Sequence, residues 1–106
     1  MSLDVWLKVD GEEVFEWNIT HNLRPMADAA GFGNAAWRPD CYGMDKASQV
    51  GPYLEAGIVQ LVKRKAEMEL LNPQNGWGDY EGLLDFAVAY AVACNEYPDA
   101  EVGVSR

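Results

Sequence analysis

Two short segments gather most of the amide, hydroxyl, imidazole and aromatic groups of this 106-residue chain: Asn18-Ile-Thr-His-Asn22 and Asn72-Pro-Gln-Asn-Gly-Trp-Gly-Asp-Tyr80. Both fall where regular structure should break, and sites are commonly built on loops that a scaffold positions. They spell out no reaction. What they offer is a polar-aromatic surface for a partner or a small ligand. Turn chemistry accounts for part of them: Asn75-Gly76 suits a turn with positive φ, and Gly78 lets the backbone approach a neighbour closely. Asn22 and Asp79 suit helix N-caps. Trp77 and Tyr80 are left over, because large aromatics are costly residues to place on a loop. Trp77 has two readings, a plug on the core beneath its loop or part of a binding surface shared with Trp37, Arg38 and residues 18–22. His21 is the only histidine, and beside a helix start it is read first as a capping or packing residue.

Other chemistries find less support. Gly31-Phe-Gly33-Asn-Ala-Ala36 formally fits G-x-G-x-x-A, but a dinucleotide fingerprint must follow a strand, and here it follows a helix. There is no P-loop, no nucleophile elbow and no H-E-x-x-H. A zinc site would have to recruit distant carboxylates or thiols around His21, so no metal and no cofactor is expected. Asp79 and Glu81 are explained by the positive end of a helix dipole. Asp85, among apolar neighbours, is the acid to examine. Cys41 and Cys94 match no zinc or redox spacing, and the reading is of one loop thiol and one buried thiol.

The net charge of −9 argues against nucleic acid and anionic membranes as partners. Lys63-Arg64-Lys65, with Glu67 and Glu69 close behind, reads as a solvated helix end. The most apolar segment, Gly82 to Cys94, contains Asp85 and falls short of the roughly 20 residues a membrane span needs. The start, Met-Ser-Leu-Asp-Val-Trp, carries no secretory signal. A cytoplasmic location follows as the expectation, and the Asn18-Ile-Thr20 sequon is not expected to be glycosylated.

The elements that must position the two segments are legible in the periodicity. Leu3 to Val9 alternates, Asp10-Gly11 is a hairpin turn, and Glu12 to Asn18 returns. A two- or four-residue loop puts Trp6, Phe15 and Trp17 on one face and Leu3, Val5, Leu7, Val9 and Val14 on the other; an odd-length loop would break this. A short helix is expected over Leu23–Ala30, with Leu23, Met26, Ala27 and Ala30 inward and Gly31 as its stop. Residues 31–44 read as irregular. A longer helix begins between Lys46 and Pro52, carries Val50, Leu54, Ile58, Leu61 and Val62, and fades near Leu71. Pro52 either starts it or kinks it. The last helix runs from Asp79 to about Glu96. Its stripe of Leu83, Phe86, Ala87, Tyr90, Ala91 and Cys94, with Leu84, Val88 and Val92 beside it, predicts a helix surrounded on nearly all sides. Glu101 to Arg106 forms a final strand joining the hairpin.

Asn-Ile-Thr-His-Asn-Leu (18–23), Met-Ala (26–27), Ala-Gly (30–31), Trp-Arg-Pro (37–39), Asn-Pro-x-Asn-Gly-Trp-Gly-x-Tyr (72–80) and the terminal acidic-Val-x-Val-Ser-Arg resemble a set of small uncharacterised proteins of bacteria and bacteriophages. The resemblance covers nearly the whole chain and is most specific around Trp77. The stretch after Gly31 departs from it in being less aromatic. It implies no activity. It does imply a small cytoplasmic accessory protein, of a kind that phages encode, whose recognisable residues sit in polar loops.

The expectation is thus one α+β domain over residues 1–106: the hairpin and the C-terminal strand in a small antiparallel sheet, packed against two long helices and one short one. The leading function is a non-enzymatic binding or protein-interaction module. Its surface is drawn from Asn18, Thr20, His21, Asn22, Trp37, Arg38, Asn75, Trp77 and Tyr80, facing a host protein or a small molecule. A homodimer through Trp6, Phe15 and Trp17 accompanies it. The second reading is a sequestering protein for a phosphorylated or nucleotide-like ligand, with Arg38 as anion anchor and Trp37 or Trp77 stacking a base. The third is a small hydrolase using His21 with a carboxylate.

Overall fold

In the computed structural model, which describes residues 1–106, strand β1 (Ser2–Val9) turns into β2 (Glu12–Thr20) through Asp10 and Gly11. Both turn residues have positive φ, 51° and 81°, the conformation that matches a two-residue turn to the twist of its strands. Strand β3 (Glu101–Ser105) pairs antiparallel with β1, giving a three-stranded sheet in the order β2-β1-β3. Together with the helices this is the expected α+β fold.

The register holds a correction. Leu7 pairs with Phe15, but Lys8 pairs with Glu13, so Val14 is the extra residue of a β-bulge. Strand side chains alternate with period two, and one inserted residue moves those beyond it to the opposite face. Phe15, Trp17 and Ile19 therefore stand opposite Leu7, Val5 and Leu3, over the core. Phe15 stacks on Tyr90 at 5.3 Å between ring centroids, and Trp17 lies 6.3 Å from Phe86. Trp6 is left alone on the outer face, opposite Glu16 and Gly103. A Cβ at Gly103 would fall 2.1 Å from Trp6 Nε1, so the indole lies across that glycine. Phe15 and Trp17 share the core face and Trp6 stands on the other, so the three do not form the single patch expected to carry a homodimer.

After β2 the chain makes a 3-10 turn, His21–Leu23, before helix α1 (Arg24–Ala29). Leu23, Met26, Ala27 and Ala30 are buried as the spacing predicts. The segment expected to be irregular instead forms a short helix α2 (Gly33–Trp37) and a 3-10 turn over Pro39–Tyr42. Its small residues, Gly33, Ala35 and Ala36, are buried; they carry too little periodic apolar signal to announce a helix. Phe32, fully buried, fills the space left by Gly57, where a Cβ would sit 2.2 Å from the ring.

Helix α3 (Ala47–Lys63) starts five residues before Pro52 and runs through it. Its first N–H groups are satisfied from elsewhere in the fold: Ala47 donates to the Ala100 carbonyl at 3.0 Å and Ser48 to that of Pro98 at 2.9 Å. Gln49 Oε1 accepts from the Asp45 and Lys46 N–H groups, each at 2.9 Å. Lys63 ends α3, Arg64 breaks the helix, and α4 (Lys65–Glu69) follows. Arg64 also donates to the Ala29 carbonyl at 3.3 Å. Helix α5 (Tyr80–Glu96) is capped by Asp79, whose Oδ1 accepts from the Gly82 N–H at 2.8 Å. Gly51 of α3 meets Cys94 of α5, and at the other end Tyr80 reaches Leu61, so the two long helices run antiparallel.

The predicted inner stripe of α5 is buried throughout. The flanking stripe is not: Val88 and Val92 are exposed, as is Val62 of α3. The sheet covers one side of α5 and α3 another, and no element lies on the third. Asp85 faces solvent. Both thiols are free, Cys41 exposed and Cys94 buried, and burial pushes the Cys94 thiol up to about 12. No helix is long and apolar enough to cross a membrane.

Candidate functional site

Gly78 joins the two polar segments. It has φ of 95°, and a Cβ there would meet Thr20 Cγ2 at 2.7 Å and Leu23 Cδ1 at 3.0 Å. Only a residue without a side chain lets the 72–79 loop lie this close to the end of β2. The loop is held at both ends. Asn72 Oδ1 accepts from the Tyr80 N–H at 2.8 Å, and Asn75 Oδ1 accepts from the Trp77 N–H at 3.0 Å in an Asx turn.

The result is an open cleft of about 420 Å³. Asn18, Thr20 and Asn22 line it from the first segment, Asn75 and Trp77 from the second, and Met1 and Ser2 close it from the start of β1. Trp77 is 70% exposed. It is not a plug on the core; it stands in solvent at the mouth of the cleft.

Internal hydrogen bonds set what each amide can offer. Asn18 Nδ2 donates to Ser2 Oγ at 3.0 Å and to Asp4 Oδ1 at 2.8 Å, which turns its Oδ1 into the free acceptor. Asn75 uses Oδ1 for the Trp77 turn, leaving Nδ2 as a donor. Asn22 was expected to cap α1. The cap is instead one turn earlier, because the 3-10 turn intervenes: Thr20 Oγ1 accepts from the Asn22 N–H at 3.2 Å. The Asn22 side-chain amide is committed to nothing in the chain.

The other nominated residues lie apart from the cleft lining. Tyr80 is buried, its hydroxyl donates to the Leu61 carbonyl at 2.7 Å, and burial raises its phenol above the ordinary tyrosine value. Trp37 is 1% exposed, packs edge-on to Phe86 at 6.2 Å, and donates its indole N–H to His21 Nδ1 at 2.9 Å. In that bond Nδ1 is the acceptor, which leaves the ring N–H on Nε2. His21 thus satisfies a buried donor, as the packing reading has it. Arg38 is exposed at the end of α2 and does not line the cleft.

Ser2 and Asp4 went unnoticed in the sequence. The bulge brings them in, since it sets Ser2 opposite Thr20 and Asp4 opposite Asn18. A regular hairpin would put Leu3 beside Asn18. No sequence signal marks the bulge.

The chain matches no protein-family model, no curated protein and no solved structure. Its chemistry is read from the geometry alone.

Two further features complete the surface. A second, shallower cleft of about 350 Å³ lies between α1 and α2 against Asp28, Gly31, Gly33 and Asn34. This is the G-x-G-x-x-A stretch; it follows helix α1, and the Asp28 carboxylate occupies the space where a Cβ on Gly33 would sit. At the opposite end of the chain, Arg106 clamps Asp40 with two bonds of 2.7 and 3.1 Å and donates to the Trp37 carbonyl at 3.1 Å. The guanidinium holds the Asp40 carboxyl below its ordinary value. No three His, Cys, Asp or Glu side chains cluster as metal ligands.

Proposed function

We propose that this protein is a non-enzymatic binding module whose recognition surface is the cleft between the end of β2 and the 72–79 loop. One observation carries the reading. Two polar segments far apart in the sequence meet where Gly78 packs on Thr20, and the groups they turn outward are the ones that no internal bond uses. Asn22, the Nδ2 of Asn75 and the indole of Trp77 are all in this state. A large exposed aromatic is hard to explain by folding alone, whereas recognition surfaces favour Trp for its area and its polar tip. With the resemblance of its motifs, this supports a small cytoplasmic accessory protein.

The two competing readings lose their key residues. A phosphorylated ligand wants a cation, and Arg38 does not line the cleft. A His21 base wants a free Nδ1 or a paired acid, and Nδ1 is held by Trp37.

The test is two-dimensional NMR of ¹⁵N-labelled protein against fractionated bacterial extract. The reading expects the Trp77 indole and the Asn22 and Asn75 side-chain amide signals to move together, with the Trp37 indole unchanged. Shifts confined to other surfaces, or none in any fraction, would refute it.

A further inference from the structure

The lining of the cleft says what kind of molecule it fits. No charged side chain lines it, and the Asp4 carboxylate beside Asn18 is taken up by the Asn18 amide. The chain carries −9 overall, so an anion entering this cleft meets a repulsive field that only the Met1 amino group at its edge offsets. An apolar ligand is equally ill-served, because it would strip water from the three asparagines without replacing the hydrogen bonds.

What remains is a neutral ligand with many groups that both donate and accept. The amides present a fixed sequence of polarity: Asn18 offers an acceptor, Asn75 a donor, and Asn22 both. A hydroxyl can answer any of the three, since it carries one donor and two acceptor positions. Trp77 adds a flat face with negative charge density at its centre, which suits the weakly positive C–H face of a saturated ring. The Asx turn and the positive φ of Gly76 and Gly78 shape the backbone from which that indole projects. The cleft volume falls within the usual range for small-ligand sites, roughly 300–1,000 Å³.

We infer that the cleft binds a neutral polyhydroxylated ring, the chemistry of a saccharide, with its C–H face on Trp77 and adjacent hydroxyls held by Asn18, Asn22 and Asn75. This rests on the binding-module reading and specifies its ligand class.

The experiment is an NMR titration at millimolar concentration with a panel of neutral mono- to tetrasaccharides. Matched sugar phosphates and free ribonucleosides form separate arms. At least one neutral saccharide moves the Trp77 indole saturably, and its phosphorylated counterpart binds at least tenfold more weakly. Trp77→Ala weakens binding tenfold or more. Asn22→Ala, which disturbs no internal bond, weakens it by about 3- to 10-fold, the loss of one hydrogen bond. No saccharide response, tighter binding of sugar phosphates or nucleosides, or binding indifferent to Trp77→Ala overturns the inference. If extract fractions still move Trp77 when no saccharide does, the binding-module reading survives and only the ligand class falls. If nothing moves Trp77, both fall.

Discussion

Replacing Gly78 by alanine puts the junction of the two segments under a load that the structure allows to be divided. The first part is conformational. Gly78 has φ of 95°, where an L-residue is strained by about 1–2 kcal/mol. The second is steric: the new methyl would sit 2.7 Å from Thr20 Cγ2 and 3.0 Å from Leu23. Overpacking of this kind costs about 1–3 kcal/mol. The loop is exposed and yields, so the expected loss is about 2 kcal/mol, toward the lower end of the sum. In a domain of this length that lowers Tm by about 8–16 °C.

Thr20→Ser separates the two parts. It removes Cγ2, the nearest atom, while keeping the Oγ1 that accepts from the Asn22 N–H. In a double-mutant cycle read by urea denaturation, Thr20→Ser should recover about 0.5–1 kcal/mol of the Gly78→Ala loss, within the usual coupling of contacting residues. The conformational part should remain. Acrylamide quenching reports the same event locally, because Trp77 is the most exposed of the four tryptophans and moves with the loop. A Gly78→Ala protein within about 0.5 kcal/mol of wild type, with unchanged quenching, would refute the packing of the loop on β2.

Three other perturbations test the surrounding framework. His21→Ala removes the only acceptor of the buried Trp37 N–H and should cost about 1–3 kcal/mol; adding Trp37→Phe should make the His21 change nearly neutral, read as the coupling in chemical denaturation. The two buried phenols should behave oppositely: Tyr80→Phe loses the bond to Leu61 and about 1 kcal/mol, while Tyr90→Phe, whose hydroxyl has no partner, should be neutral or stabilising in the same assay. Asp40 is held below its ordinary 3.8 by Arg106, so its pairing stabilises the fold above that pH and the contribution disappears as pH falls through the lower folded value. Carboxyl chemical shifts should show an acid-shifted Asp40 midpoint that returns toward 3.8 in Arg106→Gln.

Much of the framework was legible because it depends on near neighbours. The Asp10-Gly11 turn, the Leu23-Met26-Ala27-Ala30 stripe, the Asp79 cap and the Leu83-to-Cys94 core face each arise from residues within a turn or two of one another. What escaped depends on distant chain. Helix α3 starts at Ala47, inside the expected range of Lys46 to Pro52, but the point within that range is fixed with the help of distant Pro98 and Ala100, whose carbonyls accept from its first N–H groups. Helix α2 is built of small residues that make sense only beneath Phe32 and α3. Val88 and Val92 match a buried stripe in spacing, yet their burial depends on whether a third layer exists, and none does.

The candidate site divides the same way. Composition and turn chemistry were enough to nominate residues 18–22 and 72–80, and to leave Trp77 unexplained by any local need. They could not rank the members. Trp37, Tyr80 and His21 carry the same functional groups as the cleft residues, but the fold uses them internally, whereas Asn22 is released when Thr20 takes over as the cap. Side-chain identity states which bonds a residue can make. Which of those bonds are already made is a property of the tertiary arrangement, and here one bulged residue, Val14, and one bare glycine, Gly78, decide it.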